Sequence, residues 1–175
     1  MLRKLAVFSA AAMLVGLVPL DAAAQSKRTA FNTIFVELGG NAVLYSINYE
    51  RITAQDVGLR IGFSYMSLTA TAGSASASET AVGIPITASY LGLGSGSSKF
   101  ELGGGILFER FSGASSSGFG DEIKVGVFVP MATFIAGYRY LPVNGGFNFK
   151  VGFTPVYHPD VGFFPWGGLS FGYGF

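Results

Sequence analysis

The chain has 175 residues, enough for one domain, and a formal net charge of +1; half of it is hydrophobic, and only 12% is charged. The nearly neutral charge argues against a nucleic-acid partner, because phosphate binding needs a concentrated basic surface. The absence of cysteine excludes disulfides, thiolate metal sites, a cysteine nucleophile and a lipid-anchored cysteine.

Residues 1–24 have the layout of a secretory signal peptide. Arg3 and Lys4 give a positive start, an apolar stretch follows from 5 to 20, and three alanines at 22–24 precede Gln25. The apolar stretch is shorter than the roughly 20 residues that a transmembrane helix needs. We therefore expect 1–24 to be removed, 25–30 to form a short N-terminal segment, and 31–175 to form a barrel domain outside the cytoplasm.

After this leader, apolar residues recur at every second position in segments of about ten residues. A period of two is that of a β-strand, and about ten residues is the length of a tilted membrane strand. Eight such segments occur, at 31–39, 42–51, 57–67, 80–91, 99–111, 124–140, 147–155 and 166–175. An even number of strands predicts an all-β fold, a closed eight-stranded antiparallel up-and-down transmembrane β-barrel.

The two faces of these segments differ in chemistry. In the second segment Tyr45, Ile47 and Tyr49 alternate with polar residues, and in the last one large apolar residues alternate with glycine and serine. A barrel in lipid has its apolar face outside and its small or polar face inside. The predicted inward face carries four acids and three bases: Glu37, Glu50, Arg60, Glu101, Glu109, Arg139 and Lys150.

These seven charges form the candidate site. An eight-stranded barrel has an interior just wide enough for its own side chains, and unpaired burial of a charge is costly. One interpretation is a salt-bridge network that plugs the lumen; the alternative is a narrow selective pore. The small interior favours the plug.

The connections between the segments differ in length. If both chain ends are periplasmic, three of the four outward links are long and the three inward links are short, as in outer-membrane barrels. The low-complexity runs 68–79 and 112–123 are predicted to be solvated outward loops, and 39–41 a tight turn. Pro85 and Pro130 fall inside strand candidates, where each removes a ladder hydrogen bond. We expect either β-bulges there or paired sections that begin after each proline, and the change of apolar face around Pro130 favours a bulge.

The chain resembles the small eight-stranded outer-membrane β-barrel proteins, known as the outer membrane protein beta-barrel domain group. The residues that carry this resemblance are the leader ending at 22–24, the stretch 36–51, and the aromatics Phe171, Tyr173 and Phe175. The resemblance implies a location in the bacterial outer membrane after cleavage near Ala24, surrounded by outer-membrane lipid. It also implies that the barrel-assembly machinery recognises the last strand as an assembly signal.

Members of this group serve as adhesins, stability factors, enzymes and binding scaffolds, so the fold does not define the activity. His158 is the only histidine, and a Ser-His-acid hydrolase would need it beside a serine. Lipid deacylases of this architecture place serine two residues after the histidine, where this chain has Asp160. We therefore expect a non-enzymatic monomer with a structural or surface-interaction role through its extracellular loops. A lipid-modifying hydrolase using His158 is the alternative.

No cofactor is expected. One histidine and no cysteine leave no credible zinc or iron site.

Overall fold

A computed structural model describes residues 28–72, 75–117, 120–124 and 126–175; the leader predicted at 1–24 lies outside these ranges. A short 3-10 turn (Gly40–Ala42) separates the first two strands. The strands of the described residues are β1 (Asn32–Gly39), β2 (Tyr45–Ile52), β3 (Val57–Ala72), β4 (Ala75–Ser95), β5 (Ser98–Ser117), β6 (Gly120–Lys124), β7 (Val129–Tyr140), β8 (Gly146–Phe153), β9 (Val156–His158), β10 (Gly162–Phe164) and β11 (Gly167–Gly174).

The strands close into one antiparallel barrel. β1 to β5 pair in chain order, β5 pairs with both β6 and β7, and β7 pairs with both β8 and β9. β10 pairs with β9, β11 pairs with β8, and β1 pairs with β11, which places Val36 between Ile47 and Phe171. Three strands of the barrel are each interrupted once along their length: β6 continues as β7, β8 as β9, and β10 as β11. Counted in this way, the barrel has eight strands. The predicted closed eight-stranded fold is confirmed.

The outside of the barrel is apolar and its inside is polar. Ile47 on β2 is 59% exposed, whereas its neighbour Asn48 is 1% exposed, and this alternation runs along the whole strand. Leucine, isoleucine, phenylalanine and tyrosine side chains cover the exterior of the other strands as well. Water would penalise such a surface, whereas lipid would not, so the predicted assignment of the two faces is confirmed. No helix in the described ranges is long and apolar enough to cross a membrane.

Three strands are much longer than a membrane strand. β3, β4 and β5 have 16, 21 and 20 residues, compared with about 9–11 for a tilted membrane strand. The prediction of loops at 68–79 and 112–123 is therefore wrong, because most of those residues extend the barrel strands. At 69–72 and 75–78 alanine alternates with threonine or serine, which is itself a period of two, and cross-strand partners satisfy the backbone. We call residues 67–72, 75–80, 112–117 and 120–124, which lie beyond the barrel mouth, the distal extension.

Of the two arrangements predicted for the prolines, a bulge is wrong at both, whereas a paired section that begins near the proline is found at Pro130. The β3–β4 ladder is interrupted next to Pro85, but its register is the same before and after, and Pro85 itself lies opposite Leu107 of β5. Pro130 lies opposite Phe108, one residue after β7 begins, so the sixth strand starts its barrel section there and not at 124. A register shift occurs instead on β4, between Tyr90 and Leu93.

The end of the barrel where β1 begins and β11 ends, the terminal end, is closed by short connections. Ile52, Leu91 and Leu141 form a buried apolar cluster there. The backbone nitrogens of residues 29 and 30 both donate to the Val143 carbonyl, and Arg28 lies 3.6 Å from Asp56. These contacts form a layer that closes the lumen at the terminal end.

Candidate functional site

Arg139 on β7 and Glu50 on β2 form the tightest pair in the lumen. Nη1 and Nη2 of Arg139 donate to Oε1 and Oε2 of Glu50 at 3.0 and 2.5 Å, the parallel geometry in which a guanidinium binds a carboxylate best. The Thr33 hydroxyl on β1 donates to Glu50 Oε2 at 3.3 Å. Both charged side chains are buried, so neither can exchange its partner for water.

Arg60 on β3 and Glu37 on β1 form a second pair. Arg60 Nη1 donates to Glu37 Oε1 at 3.3 Å, and Nη2 makes a shorter contact with Oε2. Asn48 accepts from Arg60 Nε and Asn41 accepts from Nη1, both at 2.9 Å. Ser170 on β11 donates to Glu37 at 3.2 Å, so the buried carboxylate has several donors as well as its cation.

Lys150 and Glu101 join the two pairs into one network. Lys150 Nζ on β8 lies 3.3 Å from Glu37 Oε1 and 3.9 Å from Glu101 Oε1, and Glu101 Oε2 lies 3.5 Å from Arg139 Nη1. The Lys150 and Glu101 contacts are charge attractions without well-directed hydrogen bonds. The charges alternate in sign from Arg60 through Glu37, Lys150, Glu101 and Arg139 to Glu50. Three acids and three bases therefore cancel inside the lumen.

Phe35 lies at the centre of this network, and the sequence analysis missed it. The ring faces Arg60 Cζ and Lys150 Nζ at 5.0 Å and Arg139 Cζ at 5.8 Å from its centroid, within the range of cation–π attraction. Gly172 lies directly opposite on β11, and a Cβ there would overlap the Cβ of Phe35. The alternation of β1 could have placed Phe35 inward, between Thr33 and Glu37.

The turn predicted at 39–41 folds into the lumen instead of into solvent. Asn41 is fully buried, its backbone nitrogen donates to Glu37 Oε2 at 3.1 Å, and its Nδ2 donates to the Thr133 hydroxyl at 2.7 Å. Gly39 and Gly40 have φ of 68° and 74°, which allows this inward course, and a Cβ at Gly40 would overlap the Glu37 carboxylate. Asn41 thus covers the network on its distal side.

Glu109 is the one predicted lumen charge that the structure does not bring into the network. It lies on the inward face of β5 with Glu101, but the eight residue steps from position 101 to position 109 correspond to about 26 Å along the strand. Its side chain is buried, and its Oε2 has no hydrogen-bond partner among the described residues. Glu109 lies in an apolar cavity at the distal mouth.

His158 lines the same cavity, together with Ser64 and Glu109, so the elements of a hydrolase meet in one place. Their geometry does not support that chemistry. His158 Nδ1 accepts a hydrogen bond from the Asp160 backbone nitrogen at 3.2 Å, which puts the proton of a neutral ring on Nε2, where a general base needs a lone pair. No hydrogen bond joins Ser64, His158 and Glu109 in the part of the chain that is described.

In the described ranges no group of three or more histidine, aspartate and glutamate residues could hold a metal ion.

The aromatics predicted as an assembly signal lie on the outer face of the closing strand. Phe171 and Tyr173 on β11 and Phe175 after it are all exposed. The Phe171 ring lies 5.4 Å from that of Phe149 on β8. Phe175 exchanges backbone hydrogen bonds with Asn32, which extends the β1–β11 pairing to the edge of the barrel.

Comparison with known proteins shows a likeness to a solved structure. No family model matches the chain, and no curated protein matches it. Among solved structures, the chain is similar to the N-terminal β-barrel domain of Pseudomonas aeruginosa OprF, at 16% identity and a TM-score of 0.48. The similarity covers 82% of this chain and 95% of that domain. The function must therefore be inferred from the residues of this chain.

Proposed function

We propose that this chain is a bacterial outer-membrane barrel with a plugged lumen and a non-enzymatic, structural or surface-interaction role. The observation that carries the proposal is the network of six buried, alternating charges around Phe35. A barrel of this size has little interior space, and here charged side chains from six different strands fill it.

The same network argues against a selective pore. A conducting pore presents uncompensated charge of one sign, or polar groups, to a continuous column of water. In this lumen Arg60 and Arg139 are 3% and 1% exposed, and each is bound to a carboxylate. The Ile52 cluster and the connection at residues 28–30 add a further layer at the terminal end.

The apolar exterior and the resemblance support the outer-membrane location. The proposed leader would bring the chain to the periplasm, where the barrel-assembly machinery would recognise Phe171, Tyr173 and Phe175 on its last strand. We propose that the folded protein is a monomer in outer-membrane lipid, since a closed barrel leaves no unpaired sheet edge within the membrane.

The distal extension is the proposed surface for interaction. Most side chains of residues 67–71 on β3 are small, and all are exposed. β2–β3 pairing ends at Ile47 and Phe63, and β5–β7 pairing ends at Glu109 and Val129, so the extension beyond both points stands as a separate sheet. In the proposed orientation it projects outward, beyond the lipid.

Fractionation, heating in detergent and conductance together test this proposal. We expect the protein in outer membranes, a mobility shift when it is heated in detergent, and no large stable conductance in planar bilayers. In the Arg60→Ala variant, resistance to unfolding should fall by about 3–5 kcal/mol, with little new conductance, because the other charges and Phe35 still fill the lumen. A large, stable conductance of the unmodified protein would contradict the plugged lumen.

A further inference from the structure

The distal mouth of the barrel holds a cavity of about 310 Å³ between the network and the distal extension. Its size is at the lower end of the roughly 300–1,000 Å³ that is typical of small-molecule sites. Almost all of its wall is apolar. The side chains that form this wall include Met66, Ala81, Phe111, Met131, Val156 and Phe164.

Glu109 is the acidic group of this wall. It is 5% exposed, and its Oε2 has no partner among the described residues. Ser64 Oγ lies beside it, since a Cβ at Gly83 would be 2.5 Å from that hydroxyl and 2.7 Å from Glu109 Oε2. Buried carboxylates in folded proteins are normally paired with a cation or several donors. Among the described residues, Oε2 of Glu109 has no such partner and borders an apolar cavity instead.

The cavity also opens sideways through the barrel wall. Leu44 and Tyr45 on one side and Tyr65 on the other are exposed to the outside and also line the cavity. β2 and β3 no longer pair at this height, because their ladder ends at Ile47 and Phe63; the Tyr45 hydroxyl, which donates to the Tyr65 carbonyl, bridges the gap. An amphiphile could therefore reach the cavity from the apolar phase around the barrel.

We propose that this cavity binds a small amphiphilic amine. The hydrocarbon part would occupy the apolar wall, and the ammonium group would donate to the Glu109 carboxylate, with Ser64 as a second acceptor. A charge-assisted hydrogen bond in an apolar site is stronger than one between neutral groups, so the carboxylate selects a cation over an alcohol or an acid of equal length. This inference goes beyond the proposed structural role, since it needs neither the plug nor a partner of the distal extension.

The intrinsic fluorescence of Trp166 can report binding in this cavity. Trp166 is the only tryptophan of the chain. Its ring stacks on Phe164 with 5.2 Å between centroids, and its Nε1 donates to the Val43 carbonyl at 2.7 Å. Phe164 and Val43 both line the cavity, so a bound molecule should change the fluorescence of Trp166.

The test is a titration of the full barrel in phospholipid nanodiscs at slightly alkaline pH, where primary amines are protonated. The probes are hexylamine, hexanol and hexanoate. We expect a saturable change of Trp166 fluorescence with hexylamine, and binding weaker by about tenfold or more with hexanol and hexanoate. Glu109→Gln should weaken hexylamine binding by about tenfold or more and leave hexanol binding unchanged.

Two further variants complete the test. Glu79→Gln removes an exposed carboxylate of the same strand as Gly83 and should not change hexylamine binding. Ala81→Phe fills the cavity and should weaken the binding of both hexylamine and hexanol.

Equal affinity of the unmodified protein for the three probes would overturn the proposal without any variant. Undiminished hexylamine binding by a Glu109→Gln barrel that still shows the heat shift would also overturn it. A normal heat shift and no conductance alongside absent amine binding would leave the plugged barrel standing and refute only the amine site.

Discussion

Arg139→Ala would leave two buried carboxylates without their nearest cation. Arg139 binds Glu50 at 3.0 and 2.5 Å and lies 3.5 Å from Glu101. After the change, the partners that remain among the described residues are the Thr33 hydroxyl for Glu50, at 3.3 Å, and Lys150 for Glu101, at 3.9 Å. Neither carboxylate can reach water without opening the barrel, so the cost falls on the folded state.

The size of the effect follows from burial. Removing one partner of a buried ion pair costs about 3–5 kcal/mol, and Arg139 serves two carboxylates, so we expect a loss of about 5 kcal/mol in the free energy of unfolding. Arg51 provides a matched control on β2. It is exposed and donates to Asn32 at 3.0 Å, and exposed polar pairs of this kind contribute only about 0–1 kcal/mol.

The assay is urea unfolding of the refolded barrel in phospholipid vesicles, followed by Trp166 fluorescence and by the heat shift on gels. Adding Glu50→Gln to the Arg139→Ala variant should recover part of the loss, because a neutral amide costs less to bury than an unpaired carboxylate. If Arg139→Ala is no less stable than Arg51→Ala, the network does not hold the lumen together as argued, and the interpretation of the site is refuted.

Three further changes test other parts of the molecule. Gly172→Ala should lower the free energy of unfolding by about 1–3 kcal/mol, because the added Cβ would overlap Phe35. Gly174→Ala is the control and should change it much less, because its Cβ would make only ordinary contacts. Equal effects of the two variants in urea unfolding would contradict this packing. His158→Ala should not change turnover of lipopolysaccharide or phospholipid, since Nδ1 of that ring accepts from Asp160; loss of a measurable activity of the unmodified protein would restore the hydrolase hypothesis. Removing Phe175 should reduce the amount of barrel in outer membranes more than it reduces the stability of barrel already folded, and normal membrane levels would refute the proposed assembly signal.

The barrel could be predicted from the sequence because a period of two fixes the face of every strand. A slip of one residue in 42–51 would turn its aromatic side chains into the lumen and its polar ones into lipid, so one register is strongly favoured. The membership of most of the network could be predicted for the same reason. The partners could not, since Glu50 lies directly opposite Arg60 in the β2–β3 register and yet binds Arg139. Pairing across a lumen depends on side-chain reach and strand stagger, which a linear pattern does not contain.

Three other features could not be predicted from the sequence, each for a separate physical reason. The distal extension is rich in alanine, threonine and serine, a composition typical of a loop, although at 69–72 and 75–78 these residues alternate as in a strand. Asn41 could be predicted only as part of a tight turn, because nothing in the sequence shows that Gly39 and Gly40 direct it inward. Phe35 is apolar at an inward position, and only the three surrounding cations explain why it is there.

Buried charge serves two different purposes along the inward face of β5. Glu101 is close enough to Lys150 and Arg139 to take part in a neutral network, so its charge contributes to closing the lumen. Glu109 lies about 26 Å further along the strand, where the wall is apolar. Its burial therefore cannot be explained by the plug, since the energetic cost of an unpaired carboxylate is not offset by any contact of the network. A cation supplied from outside would offset that cost, which is why a ligand explains Glu109 better than a structural role does.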